Sequence, residues 1–357
     1  MMTRNPPFPA WLVFAWREIA PCRSSLPGIF ENLPLAGILN PRRLWSVLLL
    51  VVAFRCLASE NVPHAPFARW ADLPSPGRIE VGLNYQESES YYFWAGGTRY
   101  KADDELRGEN YGIDINQGFI ALQYGVLKKW ALDLSIGYTS VGWRYFSNFS
   151  TNGSSESTSG LMDTALGVRY QIFQECHPGD GWRPTLTFRA GGILPGTFDE
   201  NFPFAPGVRS VAIEPELLLR KQFGWMGLGL YADGLFRWNK TSANDQWITS
   251  VGLFQKIAGW EFHAGYRHLG SVGGDDIHFD PATRLIDYPR AVRENNDSVE
   301  AGFDYTTPKL QIRIGFYSKV VFDGNNTDKK FWIGPYLEIP FVVFKPRQNA
   351  SLKHMGL

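Results

Sequence analysis

Trp130-Ala-Leu-Asp-Leu-Ser-Ile-Gly-Tyr138 is the stretch that decides the fold. Trp130, Leu132, Leu134, Ile136 and Tyr138 are large and apolar, whereas Ala131, Asp133, Ser135 and Gly137 between them are small or polar. Successive side chains of a strand point to opposite faces, so this spacing describes a strand with one greasy face and one polar, charged face. Residues 162–172 repeat it, with Thr164, Leu166, Val168 and Tyr170 against Asp163, Gly167, Arg169 and Gln171. Residues 310–316 do so again, placing Gln311, Arg313 and Gly315 on the polar face.

A one-sided soluble sheet can alternate in this way, so the connections matter. The pattern predicts twelve strands near 78–92, 117–127, 130–146, 161–173, 184–195, 210–222, 225–238, 247–256, 260–270, 297–306, 310–322 and 330–342. With the N-terminus on the periplasmic side, the turns after even strands are short: Lys128-Lys129, Phe223-Gly224, Ile257-Ala258-Gly259 and Thr307-Pro308-Lys309, with 174–183 a longer exception. Most connections after odd strands are longer, at 93–116, 147–160, 196–209, 239–246 and 271–296. Short turns at one end and long loops at the other, on an even strand count, are the mark of an outer-membrane barrel. Tryptophans track the strand ends. Trp130, Trp182, Trp225 and Trp260 fall at one end, and Trp94, Trp143, Trp238 and Trp247 at the other, as two interfacial belts require. The expected fold is all-β, a transmembrane antiparallel up-and-down β-barrel of about 12 strands; 10 or 14 stay open because 86–118 alternates weakly and has room for another hairpin. Pro335 and Pro340 sit awkwardly in the last strand, since proline removes ladder donors.

Composition agrees. Among 357 residues there are 36 Gly and 13 Trp, and aromatics make up 15%, which suits curved strands with ring-rich ends. A mean hydropathy of −0.20 excludes a helical membrane protein. Upstream, Arg42-Arg43, an apolar run from Leu44 to Phe54 and Arg55-Cys-Leu-Ala-Ser59 form a tripartite export signal, cleaved after Ser59. The apolar run is about half the ~20 residues a helix needs to span a bilayer, so it reads as a signal, not an anchor. Twin-arginine export and lipidation at Cys56 fit the flanking residues poorly. The expected organisation is an extension and signal at 1–59, a periplasmic segment at 60–76, the barrel at 77–344 and a tail at 345–357, with residues 1–40 attributed to a start site set too early. Removing residues 1–59 takes away six Arg and two acidic residues, leaving 29 basic and 33 acidic, a net of −4. That balance argues against a nucleic-acid partner. Cys176 alone would then remain, so neither a disulfide framework nor a multi-cysteine metal site is expected.

Chemistry-bearing motifs are few. His268 and Ser271 would suit a membrane-embedded lipid hydrolase, but three residues apart on a strand they face opposite ways unless Gly270 forms a bulge. Asp275, Asp276, Asp280 and Asp287 are clustered carboxylates of the kind Ca²⁺ takes, without the spacing of a known loop. Cys176-His177 gives only two ligands, and 101–109 reads as a solvated charge run. No cofactor and no metal is expected.

Tyr266-Arg-His-Leu-Gly-Ser-Val-Gly-Gly-Asp-Asp276 with Asp287-Tyr-Pro-Arg-Ala-Val292 resembles part of an uncharacterised bacterial barrel family carrying His-x-Ser-Ser-His-Leu-Gly-Asp-Glu and Asn-Tyr-Ser-Arg-Glu runs. His268, Ser271, Gly274, Asp275, Tyr288 and Arg290 match, whereas Gly270, Val272, Gly273, Pro289 and Ala291 depart. Over about 25 residues the resemblance implies an outer-membrane location and no activity.

The inward face is the informative one. Alternation assigns to it Glu80, Asp133, Arg169, Arg189, Arg237, His263, Arg267, Glu300, Asp304, Arg313 and Glu338. In an open pore such residues set selectivity; in a closed barrel they pair and fill it. The expected function is passive or semi-selective passage of small hydrophilic solutes. A closed structural or surface-binding barrel is the alternative, and a lipid hydrolase the third reading. Outer-membrane lipids, the barrel-assembly machinery and small solutes are the expected partners, with oligomeric state unread.

Overall fold

The structure is a computed structural model. It describes residues 71–343 apart from 102–111, 145–156, 176–180, 199–206, 208, 225, 241–242, 281, 283–284 and 290. The export signal, the extension before it, most of 60–76 and the tail therefore lie outside the described residues. Sixteen strands are seen among the described residues. The first eight are β1 (Arg78–Ala95), β2 (Thr98–Lys101), β3 (Gly112–Leu127), β4 (Trp130–Arg144), β5 (Ser157–Leu161), β6 (Thr164–Phe173), β7 (Thr185–Leu194) and β8 (Ala212–Phe223). The rest are β9 (Leu228–Asn239), β10 (Asp245–Ile257), β11 (Trp260–Val272), β12 (His278–Asp280), β13 (Leu285–Asp287), β14 (Asn295–Thr306), β15 (Arg313–Asn325) and β16 (Asp328–Val342).

Each ring strand pairs antiparallel with the next, and β16 returns to β1, from Arg78↔Val342 to Phe93↔Asp328. β2 pairs only with β1, and β5 only with β4, so twelve of the fourteen strands in the sheet close the ring. β12 and β13 form a separate hairpin. Full closure removes the unpaired edges that an open sheet would leave. One rim, here the terminal rim, carries Arg78, Val342 and the tight Lys128-Lys129 and Ala258-Gly259 turns. The opposite rim carries the β1–β2 hairpin and the 273–294 connection.

The alternation has the expected sense. Leu132, Ile136, Tyr138, Leu166 and Val168 are exposed on the outside, whereas Asp133, Ser135, Arg169 and Gln171 are buried within. An exterior of exposed Leu, Ile, Val, Phe and Trp is tolerable only against lipid.

Several expectations shift. The weakly alternating 86–118 region does hold a hairpin, but β2 lies off the ring, so the ring stays at twelve. The ladder slips between Ser90 and Phe93, so Phe93 is buried against the parity of β1; Trp94, of the same parity as Ser88 and Ser90, is buried against Val321 and is not part of an interfacial belt. β15 starts at Arg313, so Gln311 is not on the inner face. It occupies the preceding turn at φ 55, with its N–H donating to Thr307 O and its side chain to Pro308 O. β9 begins at Leu228, and Gly224 and Gly227, both at positive φ, flank the turn before it. The connection before β16 is only Asn326-Thr327, although it joins strands at the opposite rim. Pro340 is accommodated because the β15–β16 ladder has ended at Arg313↔Glu338.

Candidate functional site: the charged interior

Buried charge inside the ring is organised by strand register. Asp133 on β4 lies opposite Gln123 on β3, Arg169 on β6 opposite Arg189 on β7, and Arg189 opposite Glu216 on β8. The side chains join these rows. Arg189 donates from Nη2 and Nε to Asp133 Oδ2 at 2.9 and 3.0 Å, and its Nη1 lies 3.5 Å from both Glu214 and Glu216. Arg169 donates to Gln123 Oε1 at 2.6 Å and has its Nε 3.4 Å from Asp133. Arg237 on β9 reaches Glu214 at 2.8 Å and Gln246 on β10 at 2.9 Å. Three guanidiniums (Arg169, Arg189, Arg237) meet three carboxylates (Asp133, Glu214, Glu216), a balanced belt across five adjacent strands that Gln123 and Gln246 extend to seven. All six are buried, so each charge is tolerable only because its partners are present.

Glycines make room for this belt. A Cβ at Gly191 would stand 2.3 Å from Arg189 Nη1, and one at Gly167 would stand 2.6 Å from Arg189 Nε. A similar recess receives Tyr231, whose ring a Cβ at Gly252 or Gly265 would strike.

Further round the ring, Glu300 accepts from Tyr231 at 3.2 Å and from Tyr317 at 3.3 Å, and Arg313 is paired with Glu338. Arg267 donates to Ser250 Oγ at 3.1 Å, and Ser250 donates to Asp233 at 3.0 Å. The nine inward candidates, Asp133, Arg169, Arg189, Arg237, His263, Arg267, Glu300, Asp304 and Arg313, are therefore all buried, and Glu80 is half-buried. Sequence reasoning missed Glu214 and Glu216, the two carboxylates shared by Arg189. Their signal was present as Glu-Pro-Glu, two like charges of one parity flanking Pro215.

At the terminal rim the chain before β1 enters the same interior. Ala71 O accepts from Thr187 Oγ1 and Gln171 Nε2, Ala71 packs on Leu218, and Asp72 pairs with Arg220. The segment expected to be merely periplasmic thus reaches at least two buried polar side chains of the barrel wall.

The other motifs separate. His268 Nδ1 meets Asp297 Oδ1 at 2.7 Å, and Tyr266 also donates to Asp297. Register across β10–β11 runs unbroken from Trp260 to Val272, so Gly270 makes no bulge and His268 and Ser271 stay on opposite faces. Asp276 is held by Arg293 at 2.7 Å and Asp280 caps Ala282 N at 2.9 Å; no metal-ligating group of three or more occurs among the described residues. Trp130, Trp182, Trp238 and Trp260 are exposed. Trp143 belongs to β4, its side chain outside the description, and Trp225 and the Cys176-His177 pair are likewise outside the described residues.

A closed ring, apolar outside and charged within, defines a bacterial outer-membrane β-barrel. The family model described as "Putative MetA-pathway of phenol degradation" matches residues 84–330, and the chain belongs to that family. Among solved structures, an outer membrane channel from Pseudomonas putida F1 superimposes with a TM-score of 0.56 at 13% identity, over 75% of this chain and 97% of that one. That likeness shows the fold. The toluene transporter TodX of P. putida gives a TM-score of 0.35 at 10% identity, over 78% and 93% of the two chains. The beta domain of the Bordetella autotransporter BrkA gives 0.40 at 12%, over 74% and 100%. No curated protein sequence matches.

Proposed function

We propose that this chain is an outer-membrane channel giving small hydrophilic solutes semi-selective passage, with the terminal rim in the periplasm. The observation that carries the reading is the buried, charge-balanced belt inside a lipid-clad ring. A wall meant only to be filled is more cheaply filled with apolar side chains, because burying ion pairs gains little stability. Asp133, Arg169, Arg189, Arg237, His263, Arg267, Glu300, Asp304 and Arg313 act as the selectivity elements. Trp130, Trp143, Trp182, Trp225, Trp238 and Trp260 anchor the barrel in lipid at its two interfaces. The aromatic-rich last strand is what the barrel-assembly machinery receives. No catalytic step is assigned, because His268 faces Asp297 and not Ser271.

Single-channel recording of residues 60–357 refolded in a planar bilayer tests this, after a heat-modifiability gel shows a folded barrel. Steady conductance whose ion preference shifts with Arg169→Ala or Arg313→Ala supports the proposal. A folded, silent barrel favours the second reading, a closed barrel without transport. The contacts of Ala71 and the completeness of the Arg189 pairing are the observations on that side.

A further inference from the structure

The connection between β11 and β14 does not stand away from the barrel. Ile277 is buried in one apolar cluster with Phe93 of β1, Ile113 and Ile115 of β3, Val141 of β4 and Trp332 of β16. Around the ring, β4 is five strands from β14, close to the far side of a twelve-stranded circle. Ile277, which begins its segment beyond β11 and is held at the β15–β16 turn, is thus tucked into the mouth against the inner wall that β16, β1, β3 and β4 share. Phe279, from the β12–β13 hairpin, follows it inward, 5.2 Å from the Phe93 ring edge-on and 4.8 Å from Tyr100.

One side chain fastens this segment. Asn326, buried in the two-residue β15–β16 turn, holds φ 53, a left-handed conformation that asparagine tolerates better than most residues. Its amide uses all four of its hydrogen-bonding positions. Oδ1 accepts from Gly96 N at 2.7 Å and Ile277 N at 2.9 Å; Nδ2 donates to Asp276 Oδ1 at 2.7 Å and Arg293 O at 2.8 Å. Asp276 in turn is gripped by Arg293, while Asp275 N donates to Ala291 O and Arg293 N donates to Asp275 O. A single amide thus ties the β1–β2 turn, the β15–β16 turn and both limbs of the 273–294 segment.

We propose that the described limbs of the β11–β14 connection, 273–280 and 291–294, form a lid seated in the outer mouth by Ile277 and Phe279 and latched by Asn326, so that entry from outside requires this latch to open. Its bearing on transport rests on the channel reading, but the state of the mouth can be read without any current. In intact cells expressing the full chain with Cys176→Ser, Ile115→Cys places a thiol beneath the lid. A polymer-linked maleimide too large to traverse the barrel is added outside. Asn326→Gly keeps the left-handed turn and deletes the amide; Phe279→Ala removes the seat and leaves the latch. Both are expected to label at least about tenfold faster than the parent, as a local opening freed of several hydrogen bonds or an aromatic contact predicts. Should Asn326→Gly fail to reach the membrane as a heat-modifiable barrel, Phe279→Ala decides alone. Labelling of the parent as fast as a freely exposed thiol, or equal rates in parent and folded variants, overturns the proposal.

Discussion

Removing Arg189 should do more damage than removing any other single charge. Its guanidinium serves Asp133 at 2.9 Å and Glu214 and Glu216 at 3.5 Å, with 1% of the side chain exposed. Each contact is worth about 5 kcal/mol of Coulomb attraction at an effective dielectric near 20, before the desolvation of four groups is subtracted. Most of that sum cancels. What persists on deleting one partner of a buried pair is about 3–5 kcal/mol, because the remaining charges stay buried and uncompensated. Arg189→Met leaves three carboxylates facing two guanidiniums, a local net charge of −1. The assay is urea unfolding of the barrel from lipid vesicles, run as a double-mutant cycle with Asp133→Asn. Arg189→Met should lose roughly 3–5 kcal/mol, and the double variant should lose less than the sum by about 1.5–3 kcal/mol. Additivity within about 0.5 kcal/mol would refute the view that the belt is one coupled unit.

Gly191→Ala should destabilise by about 1–3 kcal/mol, because the new methyl would stand 2.3 Å from a guanidinium that Asp133 pins in place; thermal unfolding of the refolded barrel reads this. Asp163 accepts from Gly196 N at 2.8 Å and Arg209 N at 3.2 Å, so Asp163→Ala should cost about 1–3 kcal/mol by the same measurement. The Asn326 amide and then Arg293 hold the Asp276 carboxyl below its ordinary 3.8. A depressed folded value means the latch is fully engaged above 3.8 and is lost only as pH falls further, so pepsin should nick 273–294 only at the acid end of its range. Asp276→Asn should make that nicking insensitive to pH over the same span. Arg313→Ala, which strips Glu338 of its partner, should shift the reversal potential toward cations.

The ring was legible because period two survives through most of the ring strands, and a lipid-facing exterior leaves no other use for Leu132, Ile136 and Val168. The inward residues followed from the same parity, which is why Arg169 and Arg189 could be assigned before any partner was known. Position at a strand end misled for Trp94, which is buried against Val321 and is not in an interfacial belt. Pairing was not legible. Arg189 meets Asp133 across 56 positions of sequence, and no local spacing records which guanidinium reaches which carboxylate. The lid was hidden for a related reason: 273–294 lacks periodicity, and its anchoring amide lies in a turn expected to be a longer loop. Asn326 carries no sequence mark beyond being an asparagine between two strands.

Closure joins Arg78 to Val342, the two ends of everything the ring contains. The seam is thus the ladder of greatest sequence separation, and its loop-closure entropy falls due only after all other pairings exist. Until then both β1 and β16 display raw backbone donors and acceptors, and any strand of another chain is a competitor for them. Loss of the final dozen residues of β16 would not trim one strand from a sheet; it would convert a surface without edges into one with two.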